Sequence, residues 1–199
     1  MKKIVSLLLI LVMLVPFTCA CSEEPAGSEG GGTHHVEMTF DGYGTITLEL
    51  YGDIAPITVS HFIDLAKSGY YNGTVISRVQ AGFVIQGGQG AGTNQIKGEF
   101  SANGVDNKIS HLKGVISMAR QPAYDTASDQ FFISIDDACA SSCDGLYAAF
   151  GVVKSGMDVI DKMVNDVISN EDYLYYYYYN MGFLPEDSQV KISSVKVID

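Results

Sequence analysis

Short stretches in which every second residue is apolar recur from residue 36 to the end of this 199-residue chain, a period that belongs to strands rather than helices. Val36, Met38 and Phe40 alternate with polar neighbours, Gly42 and Gly44 supply a turn, and Ile46, Leu48 and Leu50 resume the alternation, which predicts a hairpin. Strand-like runs follow at 75–79, 83–86, 115–119, 131–135 and 148–153, and a closing strand is expected over 190–198. Helical spacing occurs twice. Pro56 introduces Val59, Phe62, Ile63 and Ala66, with Gly69 as the stop, and residues 155–166 place Val159, Ile160, Met163 and Val164 on one face. Many short strands, glycine-rich turns and two helices imply a mainly β domain, a barrel or a sandwich. At 47% hydrophobic residues the chain can bury one substantial core.

The beginning of the chain obeys other rules. Lys2 and Lys3 precede an apolar run from Ile4 to Phe17, the layout of an export signal that is short for a membrane-spanning helix. The run ends in Phe-Thr-Cys-Ala-Cys, and Ala20 before Cys21 resembles the lipobox of bacterial lipoproteins, in which the cysteine is acylated and becomes the new N-terminus after cleavage. The expected organisation is a lipoprotein signal peptide at 1–20, a flexible tether at 21–35 with the lipid anchor at Cys21, and a folded domain at 36–199. Residues 22–35, SEEPAGSEGGGTHH, have the composition of a solvated linker. His34 and His35 lack a third ligand nearby, so no metal is expected there. Loss of Lys2 and Lys3 leaves 10 basic against 23 acidic groups, a net charge of −13. Phosphate backbones need basic patches, so nucleic acid is excluded as a partner.

Residues 173–179 hold five consecutive tyrosines, Tyr175 to Tyr179, and fit neither a period of two nor one of 3.6. They are expected to form an irregular loop whose alternate rings pack on the domain, the other reading being an exposed aromatic surface for peptides. No hydrolase serine elbow, zinc-binding spacing or phosphate-binding glycine loop is present. The adjacent acids Asp136-Asp137 and Glu186-Asp187 read as solvated turn charges.

Four blocks carry a specific resemblance. Residues 70–88, YYNGTVISRVQAGFVIQGG, are followed in order by GVISMAR (114–120), SDQFFI (128–133) and DGLYAAFG (144–151). Together they resemble the cyclophilin family of peptidyl-prolyl cis-trans isomerases over essentially all of 36–199. The resemblance implies a closed eight-stranded antiparallel β-barrel capped by two α-helices, with an external groove that binds an extended peptide around a proline. It implies no cofactor and no metal. Its partners would be unfolded or extended proline-containing polypeptides and, through the lipid, a membrane. A monomer anchored to the cell membrane and facing away from the cytoplasm is expected, assisting the folding of exported proteins.

An X–Pro bond isomerises slowly because rotation breaks amide resonance, at a cost of about 18–20 kcal/mol. A catalyst must favour the twisted amide, in which the proline nitrogen carries a localised lone pair, and a fixed cation with several donors does so. Arg78, one of two arginines in the chain, stands in the first block at the position the resemblance assigns to that cation. Phe83 and Phe132 match the family's proline-pocket aromatics, with Val84 and Cys143 as further wall. Gln86 would orient the arginine and contact the substrate backbone, and Gln130 stands at the next such position. Ala119 and Arg120 would meet the peptide main chain, and the Tyr147 hydroxyl would reach the rotating carbonyl. Since no proton is transferred, activity is expected to be flat across neutral pH.

The departures from the pattern are Ser77 where histidine is usual, Ser142 for tryptophan or histidine, and Cys143 for leucine. They predict reduced rather than abolished turnover and weak cyclosporin binding. Cys139 and Cys143 are an even pair in an exported chain and could be bridged or remain two thiols. The principal rival is a catalytically weak peptide-binding module or holdase on the same fold. A lipocalin-like barrel is the third reading and requires a hollow interior.

Overall fold

The structure, a computed structural model, describes residues 31–90 and 93–199. Eight strands close into one antiparallel barrel: β1 (Thr33–Phe40), β2 (Gly44–Tyr51), β3 (Val75–Gln80), β4 (Val84–Gly87), β5 (Val115–Met118), β6 (Phe131–Ser134), β7 (Ala149–Ser155) and β8 (Val190–Val197). Their order around the wall is β1-β2-β7-β5-β6-β4-β3-β8, and β8 returns to β1. The alternation read from the sequence sets the register. Val36, Met38 and Phe40 of β1 and Ile46, Leu48 and Leu50 of β2 all point into the barrel and are buried.

Two twelve-residue helices cap the barrel, α1 (Pro56–Lys67) and α3 (Met157–Ile168). From α1, Val59, Phe62, Ile63 and Ala66 enter the core, and the Phe62 ring lies 5.0 Å from Tyr71 and 5.2 Å from Phe150. Ala55 offers no side-chain cap at the start of α1. The buried Glu99 carboxylate does so from a distance, accepting from the Ile57 amide at 3.1 Å and the Thr58 amide at 2.7 Å. A negative group on those unpaired N–H donors also opposes the helix dipole. Ile160 and Met163 bury the inner face of α3 in the same core. Met38, Leu48, Phe131 and Ile133 fill the interior, which rules out a hollow, ligand-carrying barrel.

Three expectations need correction. The folded domain begins at Thr33 rather than Val36, because His34 and His35 belong to β1 and pair with Leu50 and Glu49 of β2. Backbone pairing does not require apolar side chains, and the His35 ring is further held by Asp199 at 2.8 Å. The tyrosine run is a helix, α4 (Tyr173–Tyr179), rather than a loop, and a four-residue helix, α2 (Ala140–Cys143), precedes β7. Strand ends otherwise move by only one or two residues from their expected limits. The expected signal peptide and lipid anchor at Cys21 lie outside the described residues.

Candidate active site

A β-bulge explains how an arginine occupies an apolar run. Ile76 pairs with Gly87 and Arg78 with Gln86, so Ser77 is an extra residue with no partner across the β3–β4 ladder. In an unbroken strand, Arg78 would share a face with the buried Ile76 and point into the core. The extra residue turns Arg78 to the outer surface while Ile76 and Val79 remain inside.

The Arg78 guanidinium is then fixed on three sides by acceptors. Its Nε donates to the Met181 carbonyl at 2.8 Å, Nη1 to Gln86 Oε1 at 3.3 Å, and Nη2 to Gln80 Oε1. These bonds use three of its five N–H donors and leave one on each terminal nitrogen. Gln86 in turn donates from Nε2 to Gln130 Oε1 at 3.1 Å, so the fork is braced across β3, β4 and the approach to β6. Phe83 and Phe183 flank the guanidinium, with ring centroids 5.9 Å and 5.5 Å away. Burial lowers the arginine from its ordinary value, a shift opposed by Tyr147 and Cys143; a guanidinium remains charged at neutral pH regardless.

Beside this charge lies an apolar wall. Val84, Phe132, Cys139 and Cys143 form a small buried cluster separate from the barrel core, with Phe83, Ala119 and Tyr147 packed against it. Tyr147 stands edge-on to Phe132, their centroids 5.5 Å apart at 88°. A cleft of about 210 Å³ opens over these groups. Every residue assigned to the groove lines it: Arg78, Phe83, Val84, Gln86, Ala119, Arg120, Gln130, Phe132, Cys143 and Tyr147. The cleft thus sets one rigid cation against an apolar pocket, on the outer surface of a filled barrel.

The chain matches the family described as Cyclophilin type peptidyl-prolyl cis-trans isomerase/CLD over residues 35–196. It belongs to that family. Among its relatives is a peptidyl-prolyl cis-trans isomerase of Acinetobacter baylyi, 39% identical over 160 residues that cover 77% of this chain and 80% of the relative. Peptidyl-prolyl cis-trans isomerase A of Dickeya dadantii is 36% identical over 172 residues, covering 81% and 84%. A crystal structure of a Cryptosporidium parvum cyclophilin type isomerase shares the fold, with a TM-score of 0.68 at 23% identity, over 84% of this chain and 99% of that one.

In this cyclophilin Arg120 departs from its expected role, and several further groups that support the cleft escaped the sequence reading. Arg120 lines the cleft, but its guanidinium is bound to its own protein: Nε and Nη2 donate to the Leu146 carbonyl, and Nη1 to those of Gln121 and Pro122. It also lies over the Tyr147 ring, 4.7 Å from the centroid. Its side chain therefore holds Tyr147 and the adjoining loop in place. The cleft is completed by Gly90, Gln121, Thr126 and Ser128. The fully buried Asp129 sets the entrance, its Oδ2 accepting from the Gln89 and Gly90 amides at 2.8 Å each.

Behind the wall, buried His111 stacks on Phe132 at 5.7 Å. Its Nδ1 meets Asp144 Oδ1 at 2.8 Å and its Nε2 meets Ser117 Oγ at 3.0 Å. This is the order of a serine–histidine–aspartate triad, but Ser117 is sealed in β5 and no substrate can reach it. The network acts as a prop for Phe132. Burial holds His111 below its ordinary value despite the pull of Asp144 in the other direction. Desolvation pushes Asp144 up, and hydrogen bonds from Ser110 and from the His111 amide and ring outweigh it, leaving the carboxyl low.

Cys139 and Cys143 are two thiols here, their sulfurs 3.4 Å apart. The hydrogen bond between them brings Cys139 down to about 7 and pushes Cys143 well up, with desolvation adding to the rise at Cys143. Of the two, Cys143 faces the cleft.

Proposed function

We propose that this cyclophilin isomerises X–Pro bonds of exported polypeptides outside the cytoplasm, held at a membrane surface by lipid on Cys21. The observation that carries the catalytic part is the clamped Arg78 beside the apolar wall. A proline ring fits against Phe83, Val84, Phe132 and Cys143, which removes it from water and holds it while the preceding carbonyl turns. The two uncommitted N–H groups of Arg78 face the amide as its resonance is lost and donate toward the proline nitrogen. Gln80, Gln86 and the Met181 carbonyl keep that fork from following the substrate, so the stabilisation is greatest for the twisted state. The Tyr147 hydroxyl serves the turning carbonyl. No atom in this scheme is protonated or deprotonated.

The lysine pair, the apolar run and Ala20-Cys21 support export and acylation, and the linker composition after Cys21 supports a domain standing clear of the bilayer. The test is fractionation of cells carrying the whole chain, with and without Cys21→Ala, alongside the mass of the N-terminal peptide. The expected result is a lipid-modified N-terminal peptide in the membrane fraction of the unaltered chain, and for Cys21→Ala an unmodified, longer precursor that keeps its apolar run. An unmodified Cys21, or Cys21→Ala processed to the same length, refutes the anchoring.

A further inference from the structure

The segment between α3 and β8 is placed against the catalytic arginine rather than at random on the surface. Where β8 stops pairing with β3 at Ile76, residues 182–184 continue alongside it: the Leu184 amide donates to Ser77 O and the Val79 amide to Gly182 O, both at 2.9 Å. Gly182 sits at φ +81, where a Cβ would come within 2.6 Å of the Val79 carbonyl, so only glycine permits this approach. Tyr173 pins the start of α4 to the same strand, its hydroxyl donating to Val79 O and accepting from the Ala81 amide.

With one face of α4 fixed in this way, the other is bare. Leu174, Tyr175, Tyr178, Tyr179, Met181 and Phe183 supply six of the thirteen exposed large apolar side chains of the described residues. The three exposed tyrosines are 59%, 72% and 76% accessible, although the segment carrying them is tied to the barrel at several points. Tyr175 and Tyr179 lie 5.1 Å apart on successive turns, and the series runs through Met181 to Phe183, which flanks Arg78 opposite Phe83.

We infer that this aromatic face is a second binding subsite, occupied by an apolar stretch of the same unfolded polypeptide whose proline sits in the cleft. It rests on the isomerase reading of that cleft and adds to it a preference among clients. Continuity with the cleft identifies the occupant, since a chain leaving the proline pocket past Arg78 meets Phe183, Met181 and the tyrosines in turn. Rigid tyrosine rings, with only two side-chain torsions to fix, bind irregular sequences at low entropic cost. Glu171, Asp172, Glu186 and Asp187 border the segment, so apolar residues interspersed with lysine or arginine are favoured over acidic stretches. The same acidic border disfavours an anionic lipid surface. The seven residues of α4 span roughly 10 Å, and an extended chain advances about 3.3 Å per residue, so about three client residues cover the helix face.

The test uses two peptides with one common Ala-Pro core, one bearing phenylalanine and lysine along both flanks and the other serine and glycine. Wild type should turn over the aromatic peptide with a kcat/KM about tenfold higher, through KM, as expected for one or two ring contacts. The triple substitution Tyr175→Ser, Tyr178→Ser, Tyr179→Ser should erase that preference while a bare tetrapeptide is processed as before. A proline-free version of the aromatic peptide, followed by fluorescence anisotropy, should bind wild type and Arg78→Ala alike and the triple variant weakly. That arm stands even if Arg78→Ala proves fully active, which would sink the catalytic reading alone. No preference in wild type, or a preference that survives the triple substitution, overturns the subsite. So does a parallel loss of tetrapeptide turnover, since the segment would then only position Arg78. Phosphatidylcholine vesicles sedimenting with wild type but not the triple variant would reassign the face to lipid, and a dimer abolished by the triple variant would reassign it to a second copy of the chain.

Discussion

Replacing Arg78 by alanine removes two kinds of contribution that the structure separates. One is structural: three side-chain hydrogen bonds, to Met181, Gln86 and Gln80, each worth about 0.5–1.5 kcal/mol net. Much of this is recovered, because both glutamines are only half-buried and can turn to water, and because the cost of burying a guanidinium disappears as well. Thermal stability should therefore change little. The other contribution is to the transition state. Removal of a preorganised donor of this kind costs about 10²–10³ in rate, or about 3–4 kcal/mol of a barrier near 20 kcal/mol. Arg78→Lys is the informative companion. It retains the charge but can satisfy only one of the three acceptors in a fixed direction, and its ammonium has no planar fork. An intermediate loss, on the order of tenfold, is expected. Exchange NMR on an Ala-Pro tetrapeptide measures kcat/KM without a coupling protease, and circular dichroism on the same samples reports the fold. An alanine variant within about twofold of wild type refutes the assignment of Arg78. A fully active lysine variant would show that charge alone suffices and that the clamp by Gln80, Gln86 and Met181 is irrelevant.

Three further outcomes are expected. Gly182→Ala forces a Cβ to 2.6 Å from the Val79 carbonyl at a positive φ, so unfolding should become easier by about 1–3 kcal/mol in urea titration, with a matching fall in kcat/KM as Met181 releases Arg78. His111 is held below its ordinary value, so the fold accommodates the neutral ring. Its contribution is complete above the free histidine value of about 6.5 and is lost as pH falls below it, which should appear as a Tm that is flat near neutrality and declines in mild acid, less steeply in His111→Gln. Turnover should follow the same limb and stay flat above it, whereas a basic limb near neutrality would expose an acid–base group in the chemistry. Oxidised glutathione should join Cys139 to Cys143, two thiols losing two hydrogens as the glutathione disulfide is reduced to two thiols, and kcat/KM should change because Cys143 lines the cleft. An intact mass or turnover that ignores the oxidant refutes this coupling.

The sequence was most legible where a side-chain pattern and a structural period coincide. The alternation at Val36–Phe40 and Ile46–Leu50 needs no partner to be recognised, and the four blocks hold nine of the ten groove residues, with Cys143 directly before the fourth. Alternation misleads at Ser77, because a bulge is defined by the facing strand and leaves no mark in its own residues. The histidines of β1 look like linker for a related reason, since main-chain pairing carries no side-chain signal. Five identical tyrosines hide their period, so the division into packed Tyr173, Tyr176 and Tyr177 and bare Tyr175, Tyr178 and Tyr179 emerges only against the barrel. Gln80 was readable in principle, two residues from Arg78 on the same strand. The Met181 carbonyl was not, although Gly182 and Phe183 after the run hinted at a close approach.

Strands β3 and β8 share two residue pairs, Val75 with Lys191 and Ile76 with Val190, flanked by backbone bonds of Gly73 and Thr74 to Ile192, before the chain from α4 takes over the remainder of that edge. This seam separates what must be kept from what can be exchanged. The two pairs close the cylinder, and the stretch between α3 and β8 can be lengthened, shortened or rewritten without reopening it, provided a glycine and a carbonyl still reach Val79 and Arg78. A library confined to the exposed positions 174, 175, 178 and 179, with Tyr173 kept as the pin to β3, would therefore retune which chains this isomerase prefers while leaving its scaffold alone. The seam is a natural point for grafting.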